Sequence, residues 1–246
     1  MSGETGYDRR GAIINAKIFD LLNSLGPSTF DEDSPMIEYW IEYALNEQSV
    51  DAGDLVKQLS LLTWEPRSSE SNEAIARFLK EFRDAPNRSE QARSCVDGLC
   101  SRILRWFAAA SAENLVPWDW RDTADVARYR GYGFIRAASF VGHLIQCGVL
   151  DHDLIRRHLI KPLITHRYTT PDDVGRFFRA MAIYNLFVAA GDTLLQGFLE
   201  PEDVEACFKT LDAKAPPHVT GPDATKINVQ FSASPNGSPR NTLANS

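Results

Sequence analysis

The residues best suited to chemistry crowd into one stretch of the chain: His143, Cys147, His152, His158 and His166. Imidazole and thiol side chains support two kinds of site, a metal centre or a cysteine nucleophile activated by a histidine base. A helix that binds metal presents ligands on one face, as in HxxxH or HExxH, and neither spacing occurs here. His152 and His158 are six residues apart and leave a helix on different sides. We therefore expect no metal ion, no catalytic residue and no cofactor. No GxSxG or local cysteine-hydrolase signature surrounds Cys147. A small all-α enzyme pairing Cys147 with His143 or His152 stays open as an alternative, against the ordinary fate of a buried cysteine as a small apolar side chain. The glycines of "RGYGF" follow no strand and lack GK[ST], so they read as a helix joint and not as a phosphate loop.

A second pattern is cationic. "LIRRHLIK" sets Arg156, Arg157 and Lys161 close together, since positions i and i+4 share a helix face, and Arg167 and Arg176 follow. These five are the candidate RNA- or partner-binding residues. Point charges of this kind grip phosphates without reading sequence, and their affinity weakens as salt rises. No aromatic side chains interleave with them to stack on bases. The same charges also suit a solvated helix face, and both readings stand. Trp118 and Trp120 in "VPWDW" sit in a linker, where one ring can enter the core and the other meet a partner, and the pair reads as structural unless exposed.

These residues need a scaffold, and the apolar pattern supplies helices. Ile14, Ile18, Leu21, Leu22 and Leu25 recur at helical spacing until Gly26 and Pro27. Ser34 with Pro35 predicts an N-cap and first helical position ahead of "MIEYWIEYAL". "VDAGDLVKQLSLLTW" predicts a short third helix, and Ile75, Phe78, Leu79 and Phe82 a fourth. Val96, Leu99, Ile103, Leu104 and Phe107 mark another over 89–111, and "ENLVPWDWRDT" links it to a second half. There, 123–147 predicts a long helix or a pair broken near "RGYG", and Asp151 caps the next, which bends or stops at Pro162. Val174, Phe177, Phe178, Met181 and Val188 predict one face of a helix opened by Asp172 and Asp173, and "EPEDVEACFKTLDA" a last short one. No stretch alternates with period two, so the expected fold is all-α, with antiparallel helical hairpins stacked into a superhelix. The repeat domain is expected over 1–212, and the Pro-, Ser- and Asn-rich residues 213–246 as a disordered tail.

Composition fits that scaffold. The chain has 246 residues, 43% hydrophobic and 24% charged, with a net charge of −7. Residues 1–85 hold eight basic against sixteen acidic side chains, whereas 86–136 hold eight against six. The net charge of −7 argues against a dedicated nucleic-acid binder, although it is unevenly spread, with an acidic first third and a mildly basic middle. No apolar run is long enough for a membrane span, no secretory signal opens the sequence, and four cysteines without CxxC read as free thiols. These point to the cytoplasm.

Inside "RAASFVGHLIQCGVL", Gly142 lies in a helix interior, where glycine costs about 1 kcal/mol relative to alanine. Close approach of a neighbouring backbone is the expected reason, with His143 pointing away from that contact and Gly148 ending the helix as a cap. Phe140, Val141, Gly142, His143, Leu144 and Ile145, closed by Val149 and Leu150, resemble the Phe-Ile-Gly-Glu-Leu-Phe motif and following Met-Leu of the HEAT-type middle domain of the translation initiation factor four-G family. "LLNSLGPSTFDE", "LDHDLIRRHLIKPLI" and "VAAGD" are similar to the family's opening, next helix and repeat end, so the resemblance spans about 20–200. His143 stands where the family has glutamate, and the glycine three residues before the motif's Phe is absent. The resemblance implies a HEAT-like fold and a non-enzymatic scaffold that holds a DEAD-box RNA helicase or RNA in mRNA translation or metabolism. A protein-only interaction module without RNA affinity is the other alternative.

Overall fold

The computed structural model describes residues 6–46, 50–112, 120–150 and 173–195, and among these the regular structure is helical, with no strand. The expected tail at 213–246 and the helices expected after Asp151 and Glu200 lie outside the described residues. Helix α1 (Gly6–Ser24) buries Ile14, Ile18 and Leu22 on the predicted stripe. At the break, the Gly26 N–H donates to Thr29 Oγ1 at 3.1 Å.

Helix α2 (Phe30–Asn46) corrects one expectation, because it starts before Ser34 and carries Pro35 inside it. Asp31, Glu32 and Asp33 fill its first turn, where the helix dipole favours negative charge. The Asp33 N–H already bonds the Thr29 carbonyl at 2.8 Å, so helical pairing precedes the proline, which removes only the bond to Asp31. The Ser34 hydroxyl caps nothing and is buried without a partner.

Helix α3 (Ala52–Ser60) is capped by Asp51, whose carboxylate accepts from the Asp54 N–H at 3.0 Å, and continues as a 3-10 turn over Leu61–Trp64. Helix α4 (Ser69–Asp84) is capped by Ser68, which accepts from the Ser71 N–H at 3.2 Å. Helix α5 (Glu90–Ala112) buries Val96, Leu99, Ile103 and Leu104. Helix α6 (Trp120–Gln146) runs unbroken through Gly131 and Gly133, so "RGYG" is no joint and Trp120 belongs to a helix rather than the linker. Two interior glycines cost about 2 kcal/mol. Burial of Phe134, Ala137, Ala138, Phe140 and Val141 along the same helix offsets that.

Helix α7 (Asp173–Ala190) and the short α8 (Asp192–Leu195) complete the described set. The expected α7 face is corrected at Val188, which is exposed; the buried positions include Ala182, Leu186, Ala189 and Ala190. Small residues occupy this face because α7 lies almost backbone to backbone against α6.

The strongest packing joins α6 to α7, α3 to α5 and α4 to α6, with α1 paired to α2. Helix α4 sits centrally, touching α1, α2, α5 and α6. Its Phe78 and Phe82 rings stack at 5.7 Å within one apolar core that extends from α1 to α8. No helix among the described residues is long and apolar enough to cross a membrane.

Candidate functional site

Gly142 and His143 lie side by side on α6 and serve different neighbours. A Cβ on Gly142 would stand 2.6 Å from Ala189 Cβ, 2.8 Å from the Leu186 carbonyl oxygen and 3.1 Å from the Ala190 nitrogen. Two of those atoms are α7 backbone, so only glycine allows this approach. The expectation drawn from the sequence holds, and the partner is α7.

His143 points instead to α4. Its Nε2 lies 2.9 Å from Ser69 Oγ and its Nδ1 3.1 Å from Gln146 Oε1, and the side chain is 4% exposed. With Gln146 presenting oxygen, Nδ1 carries the proton and Nε2 accepts from the serine hydroxyl. Burial holds the imidazole below its ordinary pKa, while the Gln146 bond and the charges of Glu73 and Glu70 pull the other way. The ring is neutral and fully occupied.

That occupancy bears on the Cys147 alternative. Both imidazole nitrogens of His143 are engaged elsewhere, and Cys147 is held above its ordinary thiol pKa by burial and by Glu73. Burial pushes Cys95 up to about 11 and Cys100 up to about 12. None of the three, all free thiols, is poised as a thiolate nucleophile at neutral pH. His152, the other proposed base, lies outside the described residues, as do His158, His166, Trp118 and Cys207. Among the described residues no group of three His, Cys, Asp or Glu side chains could hold a metal ion.

Arg156, Arg157, Lys161 and Arg167 also lie outside the described residues, and Arg176 falls on α7 with its side chain likewise outside them. No protein-family model, curated protein or solved structure matches this chain. The described surface nevertheless carries a feature that the sequence reading did not single out. On α2, Tyr39, Trp40 and Tyr43 form a ring cluster: Tyr39 stacks on Tyr43 at 6.0 Å, and Trp40 meets both edge-on at 5.6 and 5.8 Å. Across from them on α1, Lys17 Nζ sits 3.8 Å over the Trp40 ring and Arg10 donates to the Tyr43 hydroxyl. Tyr39 is 61% exposed, Ile13 62% and Met36 40%. Helix α2 turns Ile37, Ile41, Ala44 and Leu45 inward and Met36 and Tyr39 outward, with Trp40 and Tyr43 half-buried and packed against the core. Apolar side chains on more than one side of the helix were the available signal.

Proposed function

We propose that this chain is a non-enzymatic, cytoplasmic scaffold of stacked antiparallel helical hairpins, resembling the HEAT-type middle domain of the translation initiation factor four-G family. In this reading it binds a DEAD-box RNA helicase, RNA or both in mRNA translation or metabolism. The supporting observation is Gly142: the glycine of the family-like motif sits where α6 meets the α7 backbone. His143, in place of the family's glutamate, is taken up by packing against Ser69. Among the described residues, His143 is engaged by Ser69 and Gln146, and the thiols of Cys95 and Cys100 are buried in the core, which favours a scaffold.

The test is recovery of partners by the full chain from a eukaryotic lysate, with binding to labelled single-stranded RNA measured across a salt series. Recovery of a helicase, or RNA affinity that falls steeply with salt, supports the reading. Reversing Arg156 and Arg157 to glutamate then lowers the salt slope by about 1 to 2. Recovery of neither helicase nor RNA overturns it. The protein-only module is a second reading, favoured by the exposed Ile13, Met36 and Tyr39 on α1–α2 and the acidic first third of the chain.

A further inference from the structure

We propose that the outer face of α1–α2 is a self-association surface, through which two copies of this chain pair about a two-fold axis. The inner sides of these helices are spoken for: α1 packs on α2, α3 and α4, and α2 packs on α1, α4 and α5. The outer side carries Ile13, Met36 and Tyr39, exposed at 62%, 40% and 61%. A pair at the edge of a helical stack ordinarily turns a polar face outward. Here the exposed Tyr39 ring rests against the half-buried Trp40 and Tyr43, which Lys17 over Trp40 and the bond from Arg10 to Tyr43 hold in place. Rigid aromatic groups lose little freedom on being covered, which favours association.

Charge selects the occupant. The pairings Arg10 with Tyr43 and Lys17 with Trp40 make α1 and α2 antiparallel, and extending that register brings Asp20 and Glu32 to the opposite end of the face from Arg10. Both carboxylates are exposed. Among the described side chains the face therefore runs from Arg10 and Lys17 to Asp20 and Glu32, with Tyr39 exposed between. A two-fold rotation lays the Arg10 end of one copy on the acidic end of the other, twice over, so the surface complements itself. A polyanion such as RNA gains only one end of this gradient and is repelled by the other.

Helices of this length are about 26–28 Å long, so the paired face covers on the order of 500 Å² per copy. That is below the roughly 800 Å² per partner of a standard stable interface, which makes the dimer weak and concentration-dependent.

Sedimentation equilibrium of the full chain, from about 1 to 300 µM, reads the association; a monomer throughout that range overturns the proposal. Tyr39→Ser weakens the dimer by about tenfold or more, as loss of a central aromatic anchor does. Arg10→Glu and Glu32→Arg each weaken it similarly, while thermal melts report that the variants still fold. Mixing the two charge variants is decisive, because every contact between residues 10 and 32 in the mixed pair is again between opposite charges. Recovery of association to within about threefold of the unaltered chain supports the two-fold arrangement. A mixture as weak as either variant alone overturns it, as does a dimer indifferent to all three substitutions. Failure here leaves the proposed helicase or RNA binding untouched, since that is read by a different assay.

Discussion

Arg83, near the end of α4, donates to the Val149 carbonyl at 2.5 Å and to the Gly148 carbonyl at 3.1 Å, tying one helix to the C-terminal cap of another. The cap it grips is complete. Gly148 has φ of 68°, its N–H bonds the Ile145 carbonyl at 2.9 Å, and the Val149 N–H bonds the Leu144 carbonyl at 2.8 Å. This is the pairing of a Schellman motif, with Leu144 and Val149 both buried beside it. Gly148→Ala forces a side chain into the left-handed region and is expected to cost about 1–2 kcal/mol. Arg83→Met, which keeps the apolar stem and removes the donors, costs about 1 kcal/mol. Urea melts of the two variants check both values.

Gly142→Ala sets two effects against each other. Alanine gains about 1 kcal/mol of helix propensity. It also drives a methyl group to within 2.6 Å of Ala189 Cβ and 2.8 Å of a backbone oxygen. Overpacking against backbone costs about 1–3 kcal/mol or more, so the variant is destabilised on balance. The measurement is a melting temperature lower by several degrees, at about 2–4 °C per kcal/mol for a domain of this size. Unchanged stability would mean that α6 and α7 are not held this close.

How far the sequence foretold these features depended on how local their causes are. Ile75, Phe78, Leu79 and Phe82 declare a helix and its buried face by spacing alone, and all four are buried. Gly142 declared that something approaches it closely, because an interior glycine needs a reason, and Gly148 declared a cap. The features that were misjudged hinge on more than apolar spacing. Val188 fitted the apolar stripe of α7 but is exposed, since the tight contact with α6 selects alanines instead. Pro35 looked like a helix start, yet the acidic turn before it extends the helix backward. Of the candidate binding residues, Arg156, Arg157, Lys161 and Arg167 lie outside the described residues, so their grouping stands as it was read from the sequence.

His143 makes stability depend on pH in a stated direction. Its folded pKa lies below the ordinary value of 6.5, so as pH falls the unfolded chain takes up the proton first. The stabilising contribution is therefore complete above about pH 6.5 and declines as pH falls toward the folded pKa, by at most about 1.4 kcal/mol per pH unit for one proton. Glu70 and Glu73 on α4 temper the decline by favouring the charged ring. The chain holds four other histidines, so the informative quantity is a difference between variant and unaltered chain. His143→Gln is expected to lose stability at pH 7.5 and to show a shallower fall between pH 6.5 and 5. Parallel slopes for variant and unaltered chain would contradict a buried neutral imidazole.

Arg67 is the last and largest expected effect. From the turn before α4 its guanidinium donates to Asn72 Oδ1 at 3.1 Å, to Asn23 Oδ1 at 2.9 Å and to the Leu62 carbonyl, with the Phe140 ring 5.3 Å away. One side chain thus joins α1, the 3-10 turn, α4 and α6. Burial lowers its pKa to about 10, which still leaves it cationic at neutral pH, and Glu65 partly opposes the shift. Lysine keeps the charge but has no planar fork to reach three acceptors at once. Arg67→Lys therefore leaves at least one acceptor short of a partner, at about 1–3 kcal/mol. Arg67→Ala loses every bond and the ring contact, and is expected to cost about 3–5 kcal/mol, read as a large drop in the urea midpoint. If lysine restored full stability, the fork geometry would be incidental and the charge alone would hold the turn.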